Sequence, residues 1–162
     1  MMKPLPKILI YGYGNPGRQD DGLGAAFIAK MEQWVTENKI ENIQLDTNYQ
    51  LNIEDAELIS AYEKVIFVDA TIEDIAQFNF TKVKPSDAKV EFSMHAVSPA
   101  FVLDLCRKIF NKSPEAWLLH LKGYEWDFKE ELSAEATINL AEAIVFLTKL
   151  ITQEKNWSVI NT

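Results

Sequence analysis

Residues 7–24 read KILIYGYGNPGRQDDGLG. Lys7 to Tyr11 is a short apolar run bounded by Pro6 and Gly12, which reads as a buried strand. A glycine-rich loop follows, from Gly12 to about Gln19. From Gly22 to about Val35, the residues Leu23, Phe27, Ile28, Met31 and Trp34 recur at helical spacing and make one apolar face. A strand, a glycine loop and a helix in that order open an α/β domain, and the rest of the chain continues the alternation.

Ile43 to Leu45 reads as a second strand. A loop through Asn48, Tyr49 and Gln50 leads to a short helix near residues 53–62, with Asn52 as N-cap and Glu54 and Asp55 in its first turn. Lys64 to Val68 is a third buried strand, ending at Asp69-Ala70. Phe78 to Val83 alternates apolar and polar residues, as a half-exposed edge strand does. Lys89 to Ser93 is a further strand that ends near Met94-His95. Ser98-Pro99 starts a helix running to about Phe110, with Ser as N-cap and Pro at the first helical position. Trp117 to Leu121 is another strand. Ser133 caps a long last helix, whose buried side is expected from Ile138, Ala141, Ile144, Val145 and Leu147 to Leu150, and the tail after Glu154 is expected to fray. Strands separated by helices argue a largely parallel sheet covered on both faces.

Composition narrows the function. The 162 residues are 48% hydrophobic and 25% charged, an ordinary globular mixture of a size suited to one domain. A net charge of −8 gives no general attraction to nucleic acid or to an anionic membrane. The single cysteine, Cys106, forbids an internal disulfide or a thiolate zinc site and suits the reducing cytosol; within its apolar helix it reads as core. The sequence shows neither a signal peptide nor a transmembrane span. With no coiled-coil seam to demand assembly, a monomer is expected.

In sheets of this kind ligands bind beyond the carboxyl ends of the strands, near a switch in strand order. The polar residues at those ends are Asp20-Asp21, Asp69 and His95. An Asp–Asp–His set suits a borderline metal such as nickel or zinc and leaves coordination positions open. Asp20 and Asp21 also suit a helix start, where one would cap and both would meet the positive end of the dipole. Gly22 and Gly24, poor helix formers, suggest close approach by another backbone or a ligand. His120, between Leu119 and Leu121, reads as structural. Gly12 to Gly17 also matches G-x-G-x-x-G, with Asp46 as a ribose-binding acid, so a nucleotide-binding module is the rival reading. Against it, two carboxylates stand at the helix entrance where phosphate would sit.

The stretch from Gly12 to Gly24, with its G-x-G-N, acidic pair and G-x-G, resembles the signature of nickel–iron hydrogenase maturation endopeptidases. The resemblance continues through Gln50-Leu51 with Glu54, through Val65 to Ala70 (VIFVDA), through His95, Ser98 and Pro99 (HAVSPAFVLDL), and to Gly123 before the last helix. It implies one domain over residues 1–162, a three-layer α/β/α fold with a mostly parallel, mixed sheet of five to six strands. It implies a peptidase that removes the C-terminal extension of the hydrogenase large-subunit precursor once nickel is in place. The catalytic and metal-contacting residues it implies are Asp21, Asp69 and His95. Asp20 is the alternative to Asp21, which the register favours; some relatives carry Glu there, so Asp21 shortens that arm by a methylene. The nickel is that of the precursor, and no organic cofactor is implied. Water would be activated either by metal or by Asp21 or Asp69 as general base. A noncatalytic relative, or one acting on another precursor, remains an alternative. Asn15, Gln50 and the loop after Gly123 are docking candidates, with turn or surface roles as the other reading. The aromatic stretch Tyr124 to Phe128 is either a docking patch or a loop covering the sheet.

Overall fold

Ile8–Tyr13 form the strand β1, six residues all buried, and Leu23–Glu37 form the helix α1 that follows the glycine loop. The computed structural model describes residues 4–87, 97–153 and Trp157. The expected strand at Lys89–Ser93 and the candidate His95 lie outside these residues. The remaining elements are β2 (Ile43–Asn48), α2 (Asp55–Ile59), β3 (Lys64–Thr71), β4 (Phe78–Val83), α3 (Pro99–Phe110), β5 (Glu115–Lys122) and α4 (Ala134–Gln153).

The described strands form one five-stranded sheet in the order β2-β1-β3-β5-β4. Four run parallel; β4 lies antiparallel on the β5 edge, where its alternating pattern suits one covered and one open face. Strand order reverses between β1 and β3, because the chain leaves β1 toward β2 and returns to the other side of β1 at β3. Side chains of β1 alternate between two cores. Ile8 and Ile10 join Leu23, Phe27 and Met31 of α1 and Leu140, Leu147 and Leu150 of α4. Leu9, Tyr11 and Tyr13 join Ala56 and Ile59 of α2 and Val102, Leu103 and Cys106 of α3. The result is the three-layer α/β/α arrangement, with α1 and α4 on one face and α2 and α3 on the other. No described helix is long and apolar enough to cross a membrane.

The capping expected of Ser98 is present. Its Oγ accepts from the Phe101 N–H at 3.1 Å, and α3 ends at Phe110 on a left-handed Asn111. Ser133 Oγ likewise accepts from the Ala136 N–H at 3.2 Å at the head of α4.

Four expectations need correction. Asn52 does not cap α2 with its side chain; instead its own N–H donates to Asp55 Oδ2 at 2.8 Å. Neither Asp20 nor Asp21 caps α1, because a 3₁₀ turn over Gln19–Gly22 precedes it and Gly22 holds the cap position. The expected buried side of α4 is met in part: Leu147 and Leu150 are buried and Ile144 packs on the core as expected, but Ile138, Ala141 and Val145 are exposed while Ala136, Leu140 and Ala143 are buried. Asn139 is buried beside them, its Nδ2 donating to the Lys122 carbonyl and to Tyr124 Oη. Finally, of the tail expected to fray, Trp157 is the residue among those described, and it is not frayed. It is buried with its ring 5.0 Å from that of Trp117 and the Lys64 ammonium over its face, and such aromatic burial anchors a terminus.

Candidate active site

The two adjacent acids of the glycine loop have opposite fates. Gln19 sits at φ 45°, in the left-handed region that non-glycine residues seldom occupy. It is held there by a long-range grip: its N–H donates to the Lys129 carbonyl at 2.8 Å and its Oε1 accepts from the Asp127 N–H at 3.0 Å. Asp20 turns inward and is fully buried. Its Oδ2 accepts from the Tyr124 and Glu125 N–H groups and the Ser133 hydroxyl, and its Oδ1 from the Ser133 N–H, at 2.7 to 3.0 Å. Burial alone would raise its pKa, but the bonds from Ser133, Glu125 and Tyr124 outweigh that and hold the carboxyl below its ordinary value. Asp20 is therefore a structural anion tying the glycine loop to residues 123–133. The loop that follows β5 is fastened to the glycine loop by these bonds. Its Phe128 stays exposed beneath the Arg18 guanidinium, 5.1 Å from the ring centroid.

Asp21, by contrast, is half-buried at the crevice, and its Oδ2 accepts from the Asn15 N–H at 2.8 Å. Asn15 plays the turn role. Its Oδ1 accepts from the Gly17 N–H, closing the loop that presents Asp21. Gly14 makes the fit possible: its φ is +137°, and a Cβ there would stand 2.1 Å from the Asp21 carbonyl oxygen. The close approach suggested by Gly24 is to backbone. A Cβ would meet the Tyr13 carbonyl oxygen at 2.6 Å and the Val68 carbonyl oxygen at 3.0 Å, so α1 rests directly on β1 and β3.

Asp69 belongs to β3, two residues before its end, and is half-buried with Oδ1 accepting from its neighbour, the Ala70 N–H, at 2.9 Å. Burial pushes its carboxyl up from 3.8 to about 7, against the Ala70 hydrogen bond and with help from the charge of Asp21. The two acids, distant in sequence, thus share one electrostatic environment where strand order reverses. Tyr13 adjoins them. Burial, then the charges of Asp69 and Tyr11, hold its hydroxyl well above the ordinary value. Among the described residues no three His, Cys, Asp or Glu side chains converge as a metal cage, and His95 lies outside those residues. Gln50 reaches only Asn52, at 3.3 Å, on the surface. A cleft of about 350 Å³ flanks the glycine loop, lined in part by Gly14, Pro16, Asn48 and Tyr49.

A protein of Methanocaldococcus jannaschii assigned by name to the hydrogenase maturation proteases is 30% identical over 148 residues, covering 85% of this chain and 91% of the relative. The chain belongs to the hydrogenase maturation protease family. No family model matches it. Solved structures show the same fold. The NiFe hydrogenase maturation protease HycI of Thermococcus kodakarensis KOD1 aligns with a TM-score of 0.71 at 18% identity, covering 90% of this chain and 92% of its own. The hydrogenase maturating endopeptidase HybD of Escherichia coli aligns at 0.68 and 16%, with coverage of 90% and 92%. As a member of a peptidase family the chain is a hydrolase. The nucleotide-binding reading finds the wrong chemistry at its loop, since the Asn15 N–H is already bonded to the Asp21 carboxylate.

Sequence reasoning read His120 as structural; the register places it beside Asp69 on the neighbouring strand. It is the register partner of Asp69 on β5, half-buried, with burial lowering its pKa and Glu73 partly offsetting this. The signal was strand alternation: Leu119 and Leu121 point into the α1/α4 core, so the residue between them points to the other face.

Proposed function

We propose that the chain is an endopeptidase that removes the C-terminal extension of a nickel–iron hydrogenase large-subunit precursor after nickel insertion. The observation that carries this reading is the pairing of Asp21 with Asp69 at the switch point, where Asp69 titrates at about 7 rather than at 3.8. A carboxyl poised near the working pH is suited to accept and return a proton. Asp69 takes the proton of a water molecule whose oxygen adds to the scissile carbonyl carbon. The C–N bond then breaks, and the proton passes from Asp69 to the departing amine. The charge of Asp21 keeps Asp69 basic enough for the first step. The nickel is cargo of the precursor, and Asp21, Asp69 and His95 face it, so cutting reports that insertion is complete. In this reading the enzyme is a cytosolic monomer that requires no organic cofactor, nucleic acid or membrane surface.

The test is processing of a nickel-loaded large-subunit precursor, with the new C-terminus read by mass spectrometry. The wild-type chain shortens the precursor. Asp69→Ala and His95→Ala keep their fold by circular dichroism and leave the precursor at full length. Normal processing by both variants refutes the assignment.

A further inference from the structure

The register of the sheet sets four polar side chains in one line. Gly12 pairs with Val68, so Tyr13 stands next to Asp69; Asp69 pairs with His120, and His120 pairs with Asn79. All four project from the face that carries Leu9, Tyr11, Val65, Phe67 and Ala116, because each lies an even number of residues from one of those side chains or, on β4, from Val83, which packs against them. The preceding line on this face is Tyr11, Phe67, Leu118 and Thr81, largely apolar. The face therefore changes from core to polar in one step, at the carboxyl ends of β1, β3 and β5.

Asp69, His120 and Asn79 are each half-buried. Among the described residues the imidazole of His120 and the amide of Asn79 have no hydrogen-bond partner, and Asp69 Oδ2 has none either. No buried side-chain polar atom among the described residues lacks a partner, so these unpaired atoms reach solvent and are open to a chain that displaces water from them. Adjacent strands lie about 4.8 Å apart, so the line from Asp69 to Asn79 spans about 10 Å, the length of about three extended peptide residues. An imidazole and a carboxamide both donate and accept, which matches the alternating N–H and C=O of a peptide backbone.

We propose that His120 and Asn79 form a peptide subsite beside Asp69, which binds about three residues of the substrate chain next to the cleaved bond. The subsite rests on the endopeptidase reading above for the identity of its occupant: an uncharged, extended stretch of the precursor lying across β5 and β4. Both residues are binding residues, and neither takes part in bond breaking.

The experiment uses the full chain with two measurements. Calorimetry with a synthetic peptide spanning the precursor's cleavage junction gives Kd whether or not cutting occurs, and precursor cleavage gives KM and kcat. His120→Leu and Asn79→Ala are each expected to raise Kd and KM about 3- to 10-fold, the weight of one neutral hydrogen bond, with kcat within about twofold of wild type. His120→Gln, which retains a donor and an acceptor, stays within about twofold throughout. Thermal unfolding at an unchanged midpoint shows that each variant is folded; should His120→Leu fail to fold, Asn79→Ala with His120→Gln as control carries the test. Equal Kd for wild type and the two truncating variants, or no binding of the peptide by wild type, overturns the subsite. A wild-type chain that binds the peptide but leaves the loaded precursor whole overturns the endopeptidase reading alone.

Discussion

Replacing Asp69 by an asparagine separates the cost of its carboxylate from the rest of the fold. The folded carboxyl titrates at about 7 and the unfolded one near 3.8. Between those values the folded state holds a proton that the unfolded state has lost, so stability falls as pH rises through that interval and levels off above about 8. Integrated from about pH 5 to about pH 8.5, the full shift corresponds to a loss of about 2.5 kcal/mol in the wild type. Asp69 is half-buried rather than sealed, and solvent screening reduces the expected loss to about 1.5 kcal/mol. The carboxamide that Asp69→Asn introduces is neutral in both states and retains an oxygen for the Ala70 N–H. The stability advantage of Asp69→Asn over wild type, read from urea unfolding, should therefore grow by that amount between the two pH values, while precursor cleavage disappears. Asp21→Asn, which removes the neighbouring charge, should shrink the wild-type pH dependence and move its midpoint down. A variant whose advantage stays constant or declines toward high pH would show that burial does not raise the Asp69 pKa, and the proton-transfer role would fall with it.

Asp20→Asn is expected to cost about 3 kcal/mol, because its amide group would be set against the Tyr124 and Glu125 N–H groups that now bind a carboxylate. Since the Asp20 pKa is depressed, its contribution is present above the ordinary value of 3.8 and is lost as pH falls below it. Acid unfolding of the variant should lack that component. Gly14→Ala should destabilise by about 3 kcal/mol, through its φ of +137° and the clash with the Asp21 carbonyl, and should abolish cleavage in the molecules that remain folded. Urea midpoints and precursor processing check both.

The strand–loop–helix opening was legible because its apolar runs are local: alternation and helical spacing need no knowledge of partners. The position of Asp69 was legible for the same reason, as the acid that closes an unbroken apolar run, although the strand itself continues to Thr71. The division of labour between Asp20 and Asp21 was not. It depends on donors 104 to 113 residues away and on a left-handed Gln19 gripped by Lys129 and Asp127. The α4 face was legible only in part, at Leu147 and Leu150, because apolar residues surround much of that helix and a polar residue, Asn139, lies on its buried side. His120 was masked by its leucine neighbours, though the two-residue period of a strand already sets it apart from them.

The anchoring of Asp20 has a consequence for biosynthesis. Its carboxylate emerges early from the ribosome, but Tyr124, Glu125 and Ser133, which satisfy it, are made more than a hundred residues later. Until Tyr124 and Glu125, and then Ser133, have emerged, that carboxylate lacks its full set of donors and its burial carries a large penalty. The loop carrying Asp21 therefore locks only when synthesis is nearly complete. A chain that stops short of Ser133 therefore lacks part of the clamp that seats the glycine loop.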